Sequence, residues 1–202
     1  MKLHARTWAA AVLLCAGMAA ASAASAATYT TILTGPKESP PNTSEGIGAA
    51  AVQFDTSTHM LQISFAFAGL EGDSTVAHIH CCTATPGSGT AIPATELPSL
   101  DGFPSGVMTG AYSHFFDTSL ASNWNPGFLS TYGGVTGAEQ ALWAGLNAGS
   151  AYLNIHSTEY PNGEIRGFLA PVVAVPEPAG IAMLGLGLPA VLMAARRRRK
   201  ST

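Results

Sequence analysis

Positive charge is almost missing from the middle of this 202-residue chain. Of nine lysines and arginines, Lys2 and Arg6 stand at the start and five, Arg196 to Lys200, at the end; only Lys37 and Arg166 lie between. Eleven of the twelve acidic residues fall within residues 28–175, so that stretch carries a net charge of −9. Two cations do not neutralise a phosphate backbone, which excludes nucleic acid as a partner. The same charge repels anionic polysaccharide or lipid unless divalent cations bridge the two. Cysteine is scarce as well. Three are present, Cys15, Cys81 and Cys82, too few for a disulfide framework. A domain of 148 residues can bury a core without one. Helical periodicity is also rare, period-two alternation dominates, and no internal repeat is found.

What is present begins with the two ends. Lys2 and Arg6 precede an apolar, alanine-rich run from Trp8 to Ala20, and Ala24-Ser25-Ala26 offers a small-residue cleavage pattern. That describes a secretory signal peptide over residues 1–27, cut near Ala26 or Ala27. At the other end Val175-Pro176-Glu177-Pro178 is followed by an uncharged run over residues 179–195 and then Arg196, Arg197, Arg198, Arg199 and Lys200. As a helix the run would span about 25 Å, just short of a ~30 Å hydrocarbon core. The basic tip resists translocation and stays cytoplasmic. The ordered triple resembles the PEP-CTERM sorting signal. The resemblance implies passage through the inner membrane, cleavage by an exosortase-type protease, and delivery to the outer envelope surface or beyond. A retained single C-terminal anchor is the alternative. The expected organisation is a signal peptide (1–27), one domain (28–172) and a sorting tail (173–202), divided into linker and motif (173–178), helix (179–195) and basic tip (196–202).

Within the domain, residues 60–68 alternate most clearly: Leu61, Ile63, Phe65 and Phe67 share one face, Gln62, Ser64, Ala66 and Ala68 the other. The pattern predicts a strand with a core side. Further strands are expected over 29–33, 48–55, 76–81, 107–114, 151–156 and 164–169. Pro161-Asn162-Gly163 between the last two predicts a hairpin. One helix is expected after Thr136 and Glu139, which have capping-box spacing, ending near Asn147 and Gly149. Residues 83–106 and 123–134 read as loops. Seven short strands with one helix indicate an all-β sandwich or barrel.

Three of these strands carry unusual polar groups. His78 and His80 share a face, as do Asn154 and His156, and Glu164 and Arg166. If the strands are neighbours, the six converge on one outer surface. The plainer reading, which is preferred, is a hydrogen-bonded network fixing strand register, with Asn154 beside Glu164 and Arg166 paired across the ladder. The sharper reading is a metal site, because three imidazoles suit Zn or Cu. A hydrolytic reading fails, since Ser157 and His156 are strand neighbours on opposite faces. His59 and His114 receive no role. The adjacent Cys81 and Cys82 could form a vicinal disulfide, intermolecular bonds, metal thiolates or free thiols.

The phrases Ala77-His78-Ile79-His80, Tyr152-Leu153-Asn154-Ile155-His156-Ser157 and Tyr160-Pro161-Asn162-Gly163-Glu164-Ile165-Arg166-Gly167 resemble the CHRD domain, a family named for chordin. Thr34-Gly35, Glu38, Pro40, Gly46, Gly48 and Gly69-Leu70 fit the same pattern. The resemblance implies an immunoglobulin-like antiparallel β-sandwich and no particular reaction. A looser likeness to copper/zinc superoxide dismutase rests on the His-x-His strand alone. The expected protein is an exported, non-enzymatic module acting by binding or structural association. Its partners would be the export machinery, an exosortase-type protease, the membrane before processing, and extracellular polysaccharide or another envelope protein. The alternative is a metal-binding or redox protein using His78, His80 and His156, with Cys81 or Cys82.

Overall fold

The computed structural model describes residues 26–172. The expected signal sequence up to Ser25 and the expected sorting tail from Val173 lie outside the described residues. Among the described residues no helix is long and apolar enough to cross a membrane.

The domain is built from β1 (Ala26–Thr34), β2 (Ile47–Asp55), β3 (Met60–Ala68), β4 (Ser74–His80), β5 (Gly110–Asp117), α1 (Pro126–Tyr132), α2 (Val135–Ala148), β6 (Tyr152–Ser157), β7 (Ile165–Phe168) and β8 (Ala170–Pro171). All pairings are antiparallel, and the strands run in the order β4-β6-β7-β1-β2-β3-β5, with β8 added to β1. The expectation of two separate sheets is corrected to one continuous, curled sheet. It is nonetheless sandwich-like. Its two halves meet where β1 and β7 share a single register pair, Thr34 and Arg166, and both halves feed one core. Alternation explains the β3 half: Leu61, Ile63, Phe65 and Phe67 point inward, opposite Gly48, Ala50, Val52 and Phe54 of β2. Midway along these strands the outer face is small and uncharged, with Ala49, Ala51, Ala66, Ser64 and Ser113.

Two helices close the core, where one was expected. The surprise is α1, inside the stretch 123–134 read as a loop. Its signals are in the sequence: Asn125 is the N-cap and accepts from the Gly127 amide, Pro126 occupies the first turn, and Gly133 ends the helix in the left-handed region. Seven residues are too few to show a helical period. The expected helix is α2, ended at Gly149 as predicted. Its capping box does not form, because the N-cap is Gly134 and Glu139 turns to other partners. His59 Nδ1 lies 2.9 Å from Glu139 Oε1, and the Thr118 hydroxyl donates to the same oxygen, so the β2–β3 turn is tied to α2. Trp143 packs edge-on against Tyr29 and Phe54.

The polar face of β4, β6 and β7 is also covered. Residues 83–106 form the expected long loop, which runs back along β4 through bonds such as Cys81 N to Ile92 O and Ala94 N to Ile79 O. The segment after β1 brings Glu38, Asn42 and Ser44 over β7. The four residues Ala77–His80 are therefore buried on both faces, which no single-strand pattern announces.

Candidate metal centre

Hydrogen bonding pairs β4 with β6 and β6 with β7, setting His78 opposite Asn154 and Asn154 opposite Arg166. The convergence read from the pleat is thus formed. The expected solvated outer surface is not: His78 is 5% exposed, His80 9%, Asn154 3%, Arg166 4% and Glu164 0%. Only His156 retains appreciable access.

One ligand atom from each of His78, His80 and His156 lies within 4.8 Å of the others. His80 Nδ1 donates to the Ala91 carbonyl at 2.8 Å, and His156 Nδ1 donates to the Pro161 carbonyl at 2.8 Å. Each bond fixes the tautomer and leaves Nε2 as a bare lone pair, the orienting arrangement that metal-ligating histidines use. His80 Nε2 has no partner, and neither has either nitrogen of His78. The Pro98 backbone pulls the His78 pKa the other way, as the smallest of three influences. Burial, with His156 adding to it, lowers the His78 pKa to about 4. Burial likewise lowers His80 to about 4 against the pull of Ala91, and it depresses His156. All three rings are neutral at physiological pH, the state a metal requires. Tetrahedral coordination at about 2.0 Å sets ligand nitrogens roughly 3.3 Å apart. The observed spacing reaches that with side-chain adjustments of about 1 Å.

The expected pairing of Glu164 with Arg166 is corrected: the two turn to different partners. Arg166 Nε donates to the Lys37 carbonyl, Nη1 donates to Gly89 O at 3.0 Å, and Nε stands 3.8 Å from Glu38 Oε2. The guanidinium lies over the Tyr152 ring at 4.8 Å, and Tyr152 stacks on His80 at 4.7 Å. Asn154 Nδ2 donates to Glu38 Oε1 at 2.6 Å. Burial pushes Glu38 up to about 7, opposed by Arg166 and by Asn154. Glu164 Oε1 instead accepts from Ser44 Oγ at 2.7 Å and from the Glu71 amide at 2.6 Å.

Two glycines permit this arrangement. Gly163 has φ 125°, and a Cβ there would strike Asn154 Nδ2 and the Glu38 carboxylate. A Cβ at Gly167 would meet Thr31 Oγ1 and the Ile32 carbonyl, where β7 runs close to β1. Cys81 and Cys82 stand apart from the trio. They are bonded to each other and face α2, where a Cβ on Gly145 would collide with both sulfurs. Of the alternatives the sequence left open, the vicinal disulfide is the one formed, and no thiolate joins the histidines.

Sequence reasoning missed Glu38 and Tyr152 as parts of the site. The family pattern singled out Glu38 and Tyr152 without a role, and charge was the physical signal: a buried Arg166 demands a carboxylate. Eleven were on offer.

These features define a mostly β antiparallel domain, closed by two helices, with a polar, histidine-bearing row under a long loop. The CHRD domain family matches residues 29–169, and the chain belongs to that family. Membership suggests an extracellular structural module. No curated protein matches the chain, and no solved structure does.

Proposed function

We propose that this is an exported module of the cell envelope or extracellular matrix whose working site holds one Zn or Cu ion on His78, His80 and His156. The observation that carries the reading is the trio itself: neutral rings, two of them buried and His156 half-buried, two with tautomers set by carbonyls, and ligand nitrogens drawn within 4.8 Å. Leaving several buried polar atoms unmatched costs about 1–3 kcal/mol each. A bound cation removes that penalty at His80 Nε2 and at one of the two His78 nitrogens, whereas a register-fixing network would have paired them. The module is not an enzyme in this reading.

Metal analysis of the purified protein tests it. One Zn or Cu per chain is expected, lost on His80→Ala. A metal-free protein whose melting is unchanged by added Zn and Cu would sink the reading.

The tail supports export and sorting: Val175 to Pro178, the apolar run and Arg196 to Arg199 stand in the order a PEP-CTERM signal requires. Cleavage by an exosortase-type protease releases the domain from the inner membrane. The intact mass of the mature protein is expected to lack both residues 1–27 and the arginine cluster. A mass that includes the cluster would favour a retained anchor. Association with extracellular polysaccharide by this acidic domain then needs bridging divalent cations.

A further inference from the structure

This inference rests on the metal reading above. We propose that the metal held by His78, His80 and His156 keeps one coordination position for a small exogenous ligand able to donate a hydrogen bond, water first. Asn154 is the positioning residue that accepts this bond.

The donor count comes first. Among the described residues the trio is the one group of three or more such side chains placed to hold a metal. The cysteines are joined to each other. The Tyr152 hydroxyl is engaged with the Ala91 peptide group. Glu38 faces Asn154 and Arg166. A four-coordinate ion with three protein ligands takes the fourth from solution, as open metal sites do. His156 is the trio's more accessible member and marks the side of approach.

Asn154 stands where such a ligand needs a partner. It lies two residues before His156 on β6, on the same face. It is the register partner of His78, and side chains so paired have Cβ atoms about 4.5–5.5 Å apart. Its amide orientation is set from behind. Ionised beside Arg166, Glu38 only accepts, so the end of Asn154 that meets it is Nδ2. That leaves Asn154 Oδ1, a buried acceptor with no partner. A metal ion satisfies imidazole nitrogens but gives nothing to a carbonyl oxygen. Water on the metal does, because coordination strengthens its O–H donors. Azide has no hydrogen to give and forgoes the bond.

The test uses Co2+ as the metal and azide as the competing ligand, followed in the visible ligand-field bands of the purified protein. Native protein is expected to bind one Co2+ and to change its bands on azide titration. Asn154→Leu should keep Co2+ affinity within a few-fold while azide affinity rises about fivefold, the worth of one neutral hydrogen bond lost by water. If the leucine variant does not fold, Asn154→Thr suits a strand, withdraws the oxygen from the site, and should shift azide in the same direction. Native bands indifferent to azide mean a closed site and overturn the inference, leaving the metal reading intact. Equal azide affinity in native and folded variant protein also overturns it, by removing Asn154 from the role. Failure of native protein to take up Co2+, Zn or Cu overturns the metal reading and this inference together.

Discussion

His78→Leu is expected to melt above the native protein in a chelator and below it in saturating Zn or Cu. Without metal, His78 buries two ring nitrogens that have no partner, and an apolar side chain of similar volume removes that penalty. A gain of about 1–2 kcal/mol corresponds to roughly 3–6 °C for a domain of this size. With metal the order reverses. A ligand present at about a thousandfold above its Kd stabilises the native state by about 4 kcal/mol, which the variant forgoes. Differential scanning calorimetry with and without chelator reads both signs. A variant less stable in both conditions would show that His78 serves packing, not coordination.

The same variant changes the acid response of the chelated protein. His78 and His80 have folded pKa values of about 4, below the ordinary 6.5. Their neutral forms stabilise the fold fully above 6.5, and that contribution is lost as pH falls through 4. Glu38 acts oppositely: raised from 4.5 to about 7, it contributes fully below 4.5 and loses its contribution as pH rises through 7. Two strongly depressed histidines, joined by His156, outweigh one raised carboxylate. Stability therefore declines between pH 6.5 and pH 4, and more gently in His78→Leu, by up to one proton's worth of slope.

Arg166→Met is expected to be the most damaging single change in the domain. It leaves the Glu38 carboxylate buried without its cation and strips the Lys37 and Gly89 carbonyls of their donor. Breaking a buried pair from one side costs about 3–5 kcal/mol, or roughly 10–15 °C here. Glu38→Gln should also be costly, because it leaves the buried Arg166 guanidinium without its carboxylate even though the amide keeps a bond to Asn154. The two changes together should cost less than their sum, since the second removes the carboxylate the first strands. Strict additivity in urea titrations would show that Arg166 stabilises through its ring contacts with Tyr152 and Phe168, not through Glu38.

Much of this was legible because strand alternation is a local property. Leu61 to Phe67 announced a core face, and His78, His80, Asn154 and His156 announced a shared polar one. Pro161 to Gly163 marked the turn that brings Asn154 to Arg166. Helix α1 escaped because seven residues carry caps but no period, and Glu139 misled because its capping spacing competed with a tertiary bond to His59. The site's second layer was not legible. Glu38 reaches Asn154 across 116 positions of chain, and although the family resemblance marked Glu38, no local pattern says which residue it meets.

Sequence alone determined the acidic, strand-built character of the domain and the face shared by His78 and His80 and by Asn154 and His156, and it suggests the address proposed for each end. Tertiary structure decided that this face is sealed, that the sheet is one curled surface, and that Arg166 answers to Glu38. Side-chain direction along a strand follows from the chirality and pleat of adjacent residues, so it can be read in order. Burial and partner choice depend on what another part of the chain lays over the strand. Here a 24-residue loop (83–106) and the segment after β1 supply that cover, so that His78 and His80, which read as surface residues, are buried with nitrogens that have no partner.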